Sequence, residues 1–268
     1  MSVGASTVQG RTRWIGTSWK MNKTLAEARD YASGLAAALR AEPGLAAGLQ
    51  PFIIPPHTAI AATSRVLAGP QGEDDAGVVL GAQNAHWEES GAWTGEVSVP
   101  QVRDAGAQLV EIGHSERREH FGETVETTRW KVQAARRHGL RALLCIGEPG
   151  SVRDAGESAA YILDQARGAL QGLSQEDLDG VLIAYEPIWA IGENGRPATV
   201  EELRKPFRAL EAEFGETVEG ILYGGSVNLD NAAELLSIDG VDGLFVGRTA
   251  WQLEGYLQLL RIAGRQGA

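Results

Sequence analysis

The apolar positions of this chain fall into short continuous runs rather than alternating ones. Eight stand out, at 14–16, 52–54, 78–80, 109–112, 143–146, 181–185, 221–223 and 244–246. Runs of this kind suit parallel strands covered on both faces. Between them lie segments of helical character at 24–40, 58–67, 124–138, 157–170, 199–214, 229–236 and 249–263. A shorter helix is predicted at 97–105, after a long polar loop at 84–96. Thr24 with Glu27, and Thr199 with Glu202, have the spacing of capping boxes. Gly139 is placed to close the segment before it as a helix C-cap.

Strand and helix alternating eight times predict an α/β fold with a parallel sheet. An eight-stranded (β/α)8 barrel of ~250 residues forms a single domain, and this chain has 268. The rival, an open doubly wound sheet, usually carries a glycine fingerprint after its first strand. Here that place reads Gly16-Thr17-Ser18-Trp19-Lys20. The barrel is expected over 13–268, with 1–12 as a loose N-terminal tail.

In such a barrel the chemistry sits at the C-terminal ends of the strands. Lys20 follows the first run; Gln83 and Asn84 follow the third. His114, Ser115 and Glu116 follow the fourth, and Glu148 the fifth. Glu186 follows the sixth directly, Gly224-Gly225-Ser226 the seventh, and Gly247-Arg248 the eighth. Glycine turns let a phosphate approach backbone N–H groups, although tight connections also use them. Glu186 opens Glu186-Pro187-Ile188-Trp189, which reads as a base beneath a lid or as a surface glutamate. Lys20 is an anion partner or a solvated charge. His57, His86, His120 and His138 read as structural. Cys145, inside an apolar run, reads as a buried, inert thiol. Each residue alone is a weak signal; their joint placement at one mouth is the stronger one.

Charge and composition exclude much. The net charge of −11, from 24 Lys+Arg against 35 Asp+Glu, argues against nucleic acid and anionic membranes as partners. No apolar run approaches the ~18 residues of a membrane span. Residues 1–12 have no apolar core for a signal or anchor. One cysteine makes no internal disulfide, which suggests a reducing, cytoplasmic setting.

Longer stretches carry more. They include Trp19-Lys20-Met21-Asn22, Gly81-Ala82-Gln83-Asn84, Thr94-Gly95-Glu96 and Gly113-His114-Ser115-Glu116-Arg117-Arg118. Cys145-Ile146-Gly147-Glu148, Ala184-Tyr185-Glu186-Pro187, Trp189-Ala190-Ile191-Gly192 and Tyr223-Gly224-Gly225-Ser226-Val227 follow in order. With these the chain resembles the triosephosphate isomerase family over nearly its whole length. The resemblance implies that Glu186 abstracts a proton next to a carbonyl, and that neutral His114 polarises the carbonyl and shuttles protons. Lys20 would stabilise the anionic intermediate and the phosphate. Backbone N–H groups of Gly192, Ser226, Gly247 and Arg248 would hold the phosphate, and Ser115 and Glu116 would be supporting residues of the site. Segment 187–198 would be the lid, and loop 84–96 would build a homodimer. Proton transfer and oxyanion stabilisation require neither metal nor cofactor.

Three departures bear on the substrate. The family usually has asparagine where this chain has Ser18, facing the reacting end of the substrate, and serine leaves space there. The lid reads Gly192-Glu193-Asn194-Gly195-Arg196-Pro197-Ala198 and is expected to be one residue longer than usual. The last turn is Gly247-Arg248 rather than two glycines, so a guanidinium grips the phosphate or points to solvent. The opening around Ser18 is similar to a side branch that interconverts erythrulose phosphates. A phosphorylated four-carbon sugar is therefore the expected substrate. The alternatives are the three-carbon reaction of glycolysis and gluconeogenesis, and an inactive barrel that only binds sugar phosphates. Retention of Lys20, His114 and Glu186 argues against the last. Because a pocket distinguishes one hydroxymethyl by only ~1–3 kcal/mol, both substrates are expected to turn over to some degree.

Overall fold

A computed structural model describes residues 11–69, 75–192 and 195–266. All eight expected strands form: β1 (Arg13–Ser18), β2 (Leu49–Ile54), β3 (Val79–Ala82), β4 (Leu109–Ile112), β5 (Arg141–Ile146), β6 (Val181–Tyr185), β7 (Gly220–Tyr223) and β8 (Gly243–Val246). Each pairs in parallel with the next, and β8 returns to β1 to close the barrel. β4 and β6 keep the expected bounds. Most of the others run longer, because backbone pairing continues through Arg13, Gln50 and Gly243, which carry no apolar signal. β3 shifts towards Ala82.

Side chains alternate along each strand. Trp14, Phe52, Leu109, Leu143, Leu182 and Phe245 join in a cluster of their own inside the barrel. Ile15, Ile53, Val110, Leu144 and Ile183 belong to the larger core beneath the helices.

Both expected capping boxes are present, from Thr24 on helix Leu25–Ala41 and from Thr199 on helix Val200–Phe214. Gly139, at φ 72°, follows helix Val125–Arg137 in the left-handed conformation that a helix end requires. The helix expected at 229–236 contracts to Ala232–Leu235. The side chains of Asn228 and Asn231 capture N–H groups of that turn, at 2.8–3.0 Å, and favour a loop. The last helix starts late, at Leu253–Arg265, after a 3-10 turn at Arg248–Ala250. Helices Ser115–Phe121, Gly150–Asp154 and Gln175–Leu178 bury no residue, so they left no apolar period to read.

Of the expected N-terminal tail, residues 1–10 lie outside the described residues. Arg11 already belongs to the barrel base, donating to Asp242 at 3.0 Å. Among the described residues no helix is long and apolar enough to cross a membrane.

Candidate active site

The C-terminal ends of the strands surround a cavity of about 500 Å³. Lys20 reaches it from just beyond β1 on a backbone at φ 52°, unusual for a residue with a side chain. That conformation is held from several sides. Gln83 Nε2 donates to the carbonyls of Lys20 and Ile54, at 2.9 and 3.2 Å. Trp251 Nε1 donates to the Ser18 carbonyl at 2.9 Å, and Asn22 to that of Trp19 at 2.7 Å. Lys20 Nζ donates to Glu116 Oε1 at 2.6 Å.

His114 caps helix Ser115–Phe121. Its Nδ1 accepts from the Glu116 backbone N–H at 3.2 Å. A ring nitrogen that accepts from an N–H carries no proton, so the single proton of the neutral ring sits on Nε2. Burial, and next the Lys20 ammonium, push the His114 pKa down to about 4, so the ring is neutral at ordinary pH. Its Nε2 lies 3.8 Å from Glu186 Oε2. Ser115 is the first residue of the same helix.

Glu186 stands where β6 ends, 3% exposed. Burial pushes its pKa up to about 8, and the Glu111 carboxylate adds to the rise. Its Oε2 has no hydrogen-bond partner among the described residues. The space it occupies depends on Gly224, where a Cβ would lie 2.6 Å from Glu186 Cγ. Beyond it a 3-10 turn, Ile188–Ala190, starts the expected lid. Trp189 Nε1 donates to Glu148 Oε1 at 2.9 Å, and fully buried Glu148 also accepts from Ser158 and Tyr185. Lid residues Glu193 and Asn194 lie outside the described residues.

Ser18, Gly192, Ser226, Gly247 and Arg248 line the same cavity as Lys20, His114, Glu116 and Glu186. Arg248 stands on the last turn. Its exposed side chain donates from Nη2 to the Gly192 carbonyl at 3.3 Å, linking the last turn to the lid. Cys145 is buried and its thiol pKa is raised by burial, which agrees with an inert thiol. His57, His86 and His138 serve structural bonds: to the Asn84 carbonyl, from the Glu88 N–H and with Glu89.

Sequence reasoning passed over three features. Glu111 lies within an apolar run and is buried inside the barrel. Glu148 was noted only as a strand-end residue, but it anchors the lid tryptophan. Lys131 joins Asn84 at 2.7 Å and Glu123 at 3.2 Å beneath loop 84–96. The one signal available for Glu111 was an acid at an inward position of Leu109-Val110-Glu111-Ile112.

A closed parallel barrel with a buried carboxyl, a neutral imidazole, a lysine and two glycine turns at one mouth defines a class of acid–base barrel. The family model described as Triosephosphate isomerase matches residues 13–263, and the chain belongs to the triosephosphate isomerase family. The chain is 65% identical over 250 residues to a Mycolicibacterium smegmatis protein named L-erythrulose-1-phosphate isomerase, covering 93% of this chain and 92% of that one. A protein of the same name from Mesorhizobium japonicum is 48% identical, covering 92% of this chain and 95% of its own. Among solved structures, triosephosphate isomerase from Bartonella henselae superposes with a TM-score of 0.79 at 31% identity, covering 94% of this chain and 98% of that one.

Proposed function

We propose that this protein interconverts L-erythrulose 1-phosphate and D-erythrulose 4-phosphate. The carbonyl moves by one carbon through an enediolate. Glu186 takes the proton from the hydroxyl-bearing carbon next to the carbonyl and returns it to the former carbonyl carbon. His114, neutral with its proton on Nε2, donates to the carbonyl oxygen and passes protons between the two enediolate oxygens. Lys20 balances the negative charge of the intermediate and of the phosphate. N–H groups of Gly192, Ser226, Gly247 and Arg248 receive the phosphate, while Arg248 ties the lid to the last turn. Glu116 and Ser115 hold His114 and Lys20 in place.

The observation that carries this reading is Ser18 lining the same cavity as Lys20, His114 and Glu186. The acid–base set is that of the family, and the small residue leaves room for a hydroxymethyl on the reacting carbon. The name of the 65%-identical relative supports the same substrate. The three-carbon reaction of glycolysis and gluconeogenesis is the less favoured alternative.

The test is kcat/KM of the purified protein on L-erythrulose 1-phosphate and on D-glyceraldehyde 3-phosphate. A preference of at least ~10-fold for the four-carbon sugar is expected; a preference for the three-carbon sugar overturns the reading. The proposal includes a homodimer through loop 84–96. Trp93 in that loop is 49% exposed and Met21, beside Lys20, 98% exposed, apolar surface of the kind a second copy covers. Sedimentation at micromolar concentration should return twice the chain mass of 28.5 kDa; a monomer there counts against it. A reducing, cytoplasmic setting fits the single cysteine.

A further inference from the structure

The run of chain that leaves Glu186 and the run that returns to helix Val200–Phe214 meet in two places. The first is backbone. A Cβ on Gly195 would lie 2.4 Å from the Ile191 carbonyl oxygen and 2.7 Å from its nitrogen, so glycine is what lets the two runs touch. The second is a side-chain stack. The Arg196 guanidinium lies 4.8 Å from the centre of the half-buried Trp189 ring, within the range of a cation–π attraction. Arg196 is held there by a bidentate fork: Nη1 donates to Glu202 Oε2 at 2.9 Å and Nη2 donates to Oε1. Glu202 is itself fixed as the acid of the capping box that opens helix Val200–Phe214.

Trp189 is fixed independently of Arg196. Its Nε1 donates to Glu148 Oε1 at 2.9 Å. Arg153 of helix Gly150–Asp154 also lies against the ring, 4.5 Å from its centre, and donates to Asp154 at 2.7 and 3.0 Å. The capping box does not need Arg196, because Thr199 and Glu202 complete it between themselves. The consequence of the stack therefore falls on the loop it closes. Ile191 and Gly195 form the base of that loop, with Trp189 and Arg196 just outside it. Gly192 stands directly on this base, lines the cavity, and accepts from Arg248 at 3.3 Å through its carbonyl.

We propose that Arg196 is a positioning residue, which clamps the returning run to Trp189 and so holds Gly192 where its N–H meets the substrate phosphate. The inference rests on the acid–base and phosphate reading above, and not on which of the two sugars is preferred. Without the clamp, the two runs must be ordered anew at each binding event, at a cost in affinity.

Steady-state kinetics on L-erythrulose 1-phosphate and D-glyceraldehyde 3-phosphate test this, with melting temperatures measured alongside. The proteins are the wild type, Arg196→Lys, Arg196→Ala, Trp189→Leu and the Arg196→Ala/Trp189→Leu pair. Arg196→Ala should lower kcat/KM at least ~5-fold, about what one exposed cation–π contact contributes. The loss should fall on both sugars alike and mainly in KM. Arg196→Lys, which keeps the charge without the planar fork, should fall between it and the wild type. In the Trp189→Leu background Arg196→Ala should cost less than ~2-fold, because the stack it removes is already gone. Glu202→Gln keeps a capping-box residue but weakens the fork. It should lose kcat/KM in the same direction, and it keeps the test open if Trp189→Leu does not fold; Glu202→Gln at the wild-type value overturns the clamp. Arg196→Ala that lowers the melting temperature with kcat/KM unmoved makes Arg196 a merely structural residue and overturns it as well. So does an equal loss in both backgrounds, since Arg196 then acts through something other than Trp189. A wild type active only on the three-carbon sugar overturns the four-carbon reading alone. A wild type inactive on both overturns the catalytic reading and the clamp with it.

Discussion

Glu186 and His114 are shifted in opposite directions by the same cause. Burial disfavours the charged form of each, raising the acid to about 8 and lowering the base to about 4. The proposed roles need Glu186 ionised and His114 neutral. His114 is neutral through the whole range above its pKa, so Glu186 governs the profile. We expect kcat/KM to rise with pH until about 8 and to level above it; a profile flat between pH 6 and 9 contradicts this. Geometry is equally demanding at this scale. Gly224→Ala would bring a methyl to 2.6 Å from Glu186 Cγ, and the carboxylate must give way. A displacement of about 1 Å at a reacting group costs on the order of 10²-fold. Steady-state kinetics should show that loss in kcat, with an unchanged circular dichroism spectrum.

At the scale of elements, the return of the lid meets the start of helix Val200–Phe214. Glu202 Oε2 accepts from the Thr199 N–H at 2.9 Å and from its hydroxyl at 3.0 Å, and the Thr199 hydroxyl accepts from the Glu202 N–H. The same carboxylate grips Arg196, whose guanidinium lies 4.8 Å from the centre of the Trp189 ring. Thr199→Ala removes the cap and is expected to cost about 1 kcal/mol in urea unfolding; a change within ~0.2 kcal/mol would show that the cap is idle. This cap was legible because it needs residues only three apart. Helix Ser115–Phe121 was not. It is polar up to its exposed last residue, Phe121, and starts because the His114 ring receives an N–H from Glu116, a bond that also sets the tautomer.

At the scale of the molecule, the buried acids couple folding to pH. The folded pKa values of Glu111 and Glu186, about 7 and about 8, lie above the ordinary carboxyl value of 4.5. The folded state therefore holds these protons more tightly than the unfolded chain. Their contribution to stability is complete below about 4.5 and is lost as pH rises through 7 to 8. His114 works in reverse, contributing stability above 6.5 that is lost as pH falls towards 4. Between pH 6.5 and 8.5 only the carboxyls act, so the urea midpoint should fall across that window. Glu111→Gln should flatten the fall; an unchanged slope would place the Glu111 pKa elsewhere.

The linear chain determined the architecture and most of the mouth. Eight apolar runs specify eight strands because a covered parallel strand must be apolar on both faces. Once the barrel closes, whatever follows each run stands at one rim, which is why Lys20, His114, Glu186 and the glycine turns were legible together. The tertiary structure alone decided what depends on distances across the barrel and on exclusion of water. It buried Glu111 of β4 inside the barrel, turned Arg248 to the Gly192 carbonyl, and seated Trp189 on Glu148. It also set the two opposed pKa shifts. Desolvation and cross-strand proximity arise only when remote segments meet, and no spacing along the chain records them.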